Sequence, residues 1–213
     1  MELTVASRLG RRSTCLWVNT LIGVVLTAYV DESYRRRRGE SVCVYTLVGV
    51  VVADADLDGI RSELRGLRSG KDKTLHWRRE RPERLPAIAA AVGSLPICAV
   101  ATVMMHDARV ESERARRYCL SQLLRELHSL EAGRVVFESR QAEDRKDMQV
   151  IAAWRRAKRP EAMVRVDFLP AVAEPCLWLA DIIAGAFMWW LGGTCDHWVA
   201  LAGKCRVVEV HEP

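Results

Sequence analysis

The chain has 213 residues, half of them hydrophobic and 28 % charged, with a formal charge of +5 from 32 basic and 27 acidic residues. That is the composition of a soluble globular protein long enough for one domain with its own core, and it excludes a mainly disordered chain. The mild basic excess, mostly Arg, is compatible with a phosphate-bearing partner but does not specify one.

The N-terminus carries Arg8, Arg11 and Arg12 before an apolar stretch from Leu16 to Val30. Asn19 and Thr20 interrupt that stretch, no small-residue cleavage site follows it, and it is too short and polar for a membrane span. Residues 1–23 are therefore read as an extension of uncertain structure, and 24–213 as a single domain. A strand is predicted from Val24 to Val30, and a second, rich in Val, Tyr and Thr, from Val42 to Val52. Tyr34 to Glu40, with the arginine run Arg35 to Arg38, would be the hairpin loop between them. Apolar residues at Leu57, Ile60, Leu64 and Leu67 predict a helix over 54–67 with Asp54 as its cap. A polar loop then leads to Leu75-His76-Trp77.

Further along, helices are predicted over 83–92, 110–130, 144–157 and 175–191, and strands over 95–105, 134–138, 163–169 and 206–210. A hairpin followed by alternating strands and helices predicts a mixed α/β sheet flanked by helices. In such sheets functional residues gather at the carboxyl ends of strands. The seven cysteines form no C-x-x-C pair. They read as reduced core thiols of a cytoplasmic protein, with no spacing for a thiolate zinc site.

Acidic residues provide the main functional signal. Asp31 and Glu32 follow Leu26-Thr27-Ala28-Tyr29-Val30, Glu138 ends Val135-Val136-Phe137, and Asp181 lies within the apolar run Leu177 to Phe187. A carboxylate in or beside a core segment must be paired, hydrogen-bonded or bound to a cation. Asp31, Glu138 and Asp181 are the candidate catalytic set, and with Glu32 the candidate ligands of Mg²⁺ or Mn²⁺, hard cations that take oxygen donors. Plainer explanations are a turn for Asp31-Glu32, an ion pair with Arg140 for Glu138, and a buried basic partner for Asp181. Strand alternation points Glu32 away from the face of Asp31.

Candidates for substrate contact or support are His76, Arg140, Asp144, Asp147, Arg35 and Arg36. His76 could act as base, ligand or phosphate contact, or simply pack beside Trp77. Asp144 suits a helix cap, and the arginine run a phosphate grip or a solvated loop. Trp189-Trp190 reads as core or as a contact in a homo-oligomer rather than a base-stacking platform. Walker, G-x-S-x-G and G-x-G-x-x-G motifs are absent.

At these residues the chain resembles a bacterial family, the domain of unknown function 3800. The segments that carry the likeness are Ala28-Tyr29-Val30-Asp31-Glu32-Ser33, Leu75-His76-Trp77, Phe137-Glu138-Ser139-Arg140 with Asp144 and Asp147, and Leu177 to Ala186. The resemblance implies an RNase H-like fold, in which the first and fourth strands are neighbours and the last helix brings in a third acid. It implies that Asp31 and Glu32 match the family's Asp-Glu motif and that Asp181 matches the Asp of its Gln-x-x-Asp motif. This chain departs from the pattern at Trp178, which replaces that Gln, and at Tyr34, which replaces a usual Gly. The resulting expectation is a metal-dependent phosphodiesterase acting on nucleic acid. The rivals are a non-catalytic nucleic-acid-binding or interaction module that keeps the fold, and a carboxylate-pair glycosidase.

Overall fold

A computed structural model describes residues 24–36, 41–109, 111–193 and 196–212. The extension expected over 1–23, and Arg37 and Arg38 of the arginine run, lie outside these residues. Six strands form one mixed sheet in the order β5-β4-β1-β2-β3-β6. They are β1 (Leu26–Arg36), β2 (Val42–Ala53), β3 (Cys98–Asp107), β4 (Arg134–Glu138), β5 (Arg165–Leu169) and β6 (Cys205–Glu209). β1-β2 and β2-β3 are antiparallel, whereas β1-β4, β4-β5 and β3-β6 are parallel. The α/β class expected from the alternation of elements is the observed one.

Helices cover both faces. They are α1 (Leu57–Gly66), α2 (Leu85–Ser94), α3 (Ser112–Ser129), α4 (Asp144–Arg156), α5 (Leu177–Leu191) and the short α6 (Val199–Ala202). One core gathers α1, α2 and α5 on the side of Tyr29, Val48, Val50, Val52 and Val136. The other gathers α3 on the side of Ala28, Val30, Leu47, Val51 and Phe137. Successive residues of β1 and β2 thus feed opposite cores, as the period-2 pleat requires. Gly49 lets α3 lie close to the sheet: a Cβ there would sit 3.2 Å from Leu127 Cδ2.

Four expectations need correction. β1 does not stop at Val30 but continues through the acidic pair to Arg36, because β2 offers a partner for every residue out to Arg36, opposite Cys43. Asp54 does not cap α1; it opens a 3-10 turn, and its Oδ1 accepts a hydrogen bond from Thr27 Oγ1 at 3.1 Å. The helix expected over 83–92 begins as a 3-10 turn at Pro82–Arg84 and becomes α2 only at Leu85. Cys43, Cys119, Cys176 and Cys205 are buried free thiols, but Cys98 on β3 is disulfide-bonded.

No helix among the described residues is long and apolar enough to cross a membrane. Trp189 packs edge-on to Trp77, with ring centroids 5.8 Å apart, and Trp190 stacks on Phe187, so the tryptophan pair borders the core.

Candidate functional site

The parallel pairing of β1 with β4 ends at Val30 opposite Phe137. The next residues are Asp31, inside β1 where its pairing with β4 stops, and Glu138, the last residue of β4. Tyr29 and Val136, two residues earlier on each strand, face the α5 side. Alternation therefore turns Asp31 and Glu138 to that side as well. α5 packs across the same face of the sheet and carries Asp181. The three acids line one cavity of about 510 Å³, together with His76, Arg78 and Arg79.

Asp181 is anchored from the segment between α1 and α2. Its Oδ2 accepts the backbone N–H of Trp77 at 2.7 Å, and His76 Nδ1 lies 3.1 Å from the same oxygen. The imidazole approaches off the line of a good hydrogen bond, so Nδ1 has no satisfied hydrogen bond and the contact is chiefly electrostatic. Trp77 reaches α5 because residue 185 is glycine. A Cβ there would come within 2.8 Å of Trp77 Cβ, and Trp77 is almost wholly buried. Gly185 is four residues after Asp181, on the same helix face. Leu75-His76-Trp77 and the Asp181 segment are thus two halves of one contact. Trp178, which also lines the cavity, donates its indole N–H to the Ala171 carbonyl at 2.8 Å.

Asp31 and Glu138 have no ion-pair partner within 4 Å among the described residues. Burial pushes the Asp31 carboxyl well above the usual carboxylate range, and the Asp181 and Glu138 carboxylates push it further; Arg116 and Arg78 oppose this. Glu138 is raised by burial first and by Asp181 second, with His76 and Arg79 pulling the other way. His76 is raised by its contact with Asp181, which outweighs burial. Proximity of like charges is the cause that links the acids. Carboxyls raised by burial and by neighbouring acids in a cavity are a recognised mark of functional sites.

The other candidates divide sharply. Glu32 faces the α3 side, where its Oε2 accepts the Tyr45 hydroxyl at 2.7 Å and pairs with Arg116. Arg116 also grips Asp147 through Nε and Nη2, at 3.0 and 2.6 Å. Arg140 pairs with Glu113 at 2.8 Å and Asp147 at 3.3 Å rather than with Glu138. These residues form a second, buried ionic cluster on the opposite face from Asp31. Asp144 Oδ2 accepts the Ser139 hydroxyl at 2.6 Å and its Oδ1 the Arg140 N–H at 2.7 Å, so it shapes the turn after β4. Arg35 donates to the Met188 carbonyl at the end of α5 (3.1 Å), and Arg36 is exposed.

Three basic residues were not singled out from sequence. Arg78 donates from Nη2 to Ser33 Oγ at 3.0 Å and to the Tyr34 carbonyl at 3.1 Å, while Arg79 is exposed at the cavity. Their adjacency to His76-Trp77 was the available signal. Arg116 lies four residues before Leu120, hence on the buried stripe of a predicted helix, which is a readable sign of a buried charge.

Oxygen donors of this kind suit a hard divalent cation. Among the described residues, however, no group of three or more His, Cys, Asp or Glu side chains is arranged to hold a metal ion as it stands. Asp31, Glu138 and Asp181 share the cavity without forming a finished ligand set. No protein-family model matches this chain, and no curated protein matches it.

Proposed function

We propose that the chain is a divalent-metal-dependent phosphodiesterase of RNase H-like architecture that acts on nucleic acid, with Mg²⁺ or Mn²⁺ held by Asp31, Glu138 and Asp181. The observation that carries this reading is the cavity itself. Acids from β1, β4 and α5 face it, two of them have no ion-pair partner among the described residues, and the Asp181 carboxylate raises the proton affinity of both others. A group of carboxylates that is costly when ionised gains most from a divalent ion. β1 beside β4, with the third acid on α5, is also the arrangement implied by the resemblance to the family of unknown function 3800.

When bound, the ion would supply Lewis-acid activation of water and neutralise charge at phosphorus. The remaining work falls to the chain. Asp31 and Glu138 would hold the cation, and their raised proton affinities would make protons compete with it. Trp77 N–H and His76 hold Asp181 in place, and a protonated His76 beside it would offer a proton to a departing oxygen. Arg79, exposed at the cavity, and Arg78 would attract and orient the phosphodiester. Glu32, Arg140 and Asp147 act from the other face, keeping β1 and the turn after β4 in register.

The test is hydrolysis of RNA, single- and double-stranded DNA and RNA–DNA hybrid by the purified protein with Mg²⁺ or Mn²⁺. Asp31→Asn and Asp181→Asn should each abolish metal-dependent cleavage, and unchanged cleavage in either variant overturns the assignment. A second reading, a non-catalytic module retaining the fold, is favoured by the anchoring of Asp181 to Trp77. Calorimetric titration with Mn²⁺ separates the two: the enzyme reading requires a saturable site that Asp31→Asn removes, and the module requires none.

A further inference from the structure

A larger cavity, about 720 Å³, lies on the other side of the molecule. Its floor is the outer surface of α3, where Arg114, Arg117, Ser121 and Arg125 follow one another at spacings of three and four residues and therefore form one stripe. Trp154 at the end of α4, Arg159 just after it, and His211 beyond β6 complete the walls. α3 packs on the sheet face opposite α5, so this cavity is separate from the one holding Asp31, Glu138 and Asp181.

Its chemistry is cationic and flat-walled. Two of the arginines have carboxylate partners: Arg114 meets Glu212 at 2.5 Å and Arg125 meets Glu161 at 3.4 Å. Both arginine side chains are more than half exposed; Glu212 is exposed as well, and an ion pair of that kind contributes little and is readily exchanged, whereas Glu161 is buried and keeps Arg125 at the rim of the cavity. Arg117 has no carboxylate within 4 Å among the described residues. The Arg159 guanidinium sits 5.5 Å over the Trp154 ring, and with Tyr118 this pair gives the cavity planar surfaces. Guanidinium groups recognise phosphate by paired hydrogen bonds, and aromatic or guanidinium planes accept a base without reading its identity. The volume falls within the range of small-ligand sites.

We propose that this cavity is a second ligand site, for a nucleotide. Its phosphate is taken by Arg114, Arg117 and Arg125, and its base lies against the surface formed by Tyr118, Trp154 and Arg159. The same chemistry is presented by a free nucleotide and by a unit of a single strand. The site does not depend on the proposed cleavage reaction.

Binding is therefore measured on the full chain in EDTA, which silences the carboxylate cavity. The probes are adenosine triphosphate, a fluorescein-labelled oligothymidylate of about twelve residues, and inorganic phosphate. Binding of the triphosphate marks a small-molecule site, binding of the oligonucleotide alone marks a strand-holding site, and either supports the proposal. In both cases Arg117→Ala and Arg114→Ala, at exposed positions that should not disturb folding, weaken binding about tenfold or more. Trp154→Phe retains it and Asp31→Asn leaves it unchanged. No binding of either nucleotide probe, full affinity in both arginine variants, loss of binding in Asp31→Asn, or phosphate bound as tightly as the nucleotide would overturn the assignment.

Discussion

Arg116→Ala should unfold more of this protein than any single change at the candidate site. The Arg116 side chain is 3 % exposed and that of Asp147 is 5 %, and they meet through two guanidinium nitrogens. Removing one partner of a buried pair leaves the other charge uncompensated, at a cost of about 3–5 kcal/mol. Two features place the loss near the lower figure. Arg140 remains 3.3 Å from Asp147, and Glu32, the other acid on Arg116, is 27 % exposed and keeps its bond from Tyr45. A loss of about 3 kcal/mol lowers Tm by about 6–12 °C in a domain of this size. Urea denaturation should show the same loss as a lower midpoint with an unchanged slope. Adding Asp147→Asn to Arg116→Ala removes the stranded charge and should recover part of the stability. A functional consequence accompanies the structural one. Arg116 is among the groups that hold the Asp31 proton affinity down, so the acidic limb of any metal-dependent activity should move to higher pH in Arg116→Lys only slightly, but clearly in Arg116→Ala. A stability loss below about 1 kcal/mol would refute the view that this cluster is a buried, mutually dependent unit.

Other outcomes can be checked with the same preparations. Asp31 and Glu138 have raised proton affinities, so the stability they contribute without metal is full at low pH and is lost as pH rises through their folded-state values; thermal scans without metal should show that decline, Mn²⁺ should remove it, and Asp31→Asn should reduce it. Mn²⁺ affinity should rise over the same interval, because binding displaces protons, and a pH-independent affinity would count against these ligands. Gly185→Ala places a Cβ against Trp77 and should lower both Tm and cleavage, by about 1–3 kcal/mol in stability if overpacking outweighs the helix preference for Ala; unchanged values of both would mean that the Trp77–Asp181 contact is not tightly packed. Cys119 and Cys205 are buried thiols pushed up to about 12, so neither should react with a thiol reagent at pH 8 until the protein unfolds.

Much of the sheet could be read from local pattern. β4 was predicted with its observed bounds because Val135-Val136-Phe137 is a short apolar run closed by a charge. α5 was predicted because its apolar stretch is too long for a strand. The end of β1 was not legible. Asp31-Glu32-Ser33-Tyr34-Arg35-Arg36 looks like a loop by composition, yet β2 pairs with all of it, and backbone pairing does not depend on side-chain polarity. Asp181 was conspicuous because α5 offers it no polar neighbours. Arg140 and Asp147 were equally conspicuous but belong to a different cluster, because an acid–Ser–Arg run after a strand does not reveal which face of the sheet each side chain will take.

By itself, the sequence marked certain acids as costly to leave unpartnered. Apolar runs beside Asp31 and Glu138 and around Asp181 carry that mark, since burying an unpaired carboxylate is costly wherever the segment ends up. It also separated Asp31 from Glu32, because adjacent residues of a strand must face opposite ways. Which distant residues would meet was decided only by tertiary structure. The parallel register of β1 and β4 and the passage of α5 across one face bring Asp31, Glu138 and Asp181 to a common cavity. The same sheet sends Glu32 through to Arg116 and Asp147 on the other side. Period and polarity act over a few residues, whereas the company a charge keeps depends on segments more than a hundred residues apart, such as Trp77 and Asp181.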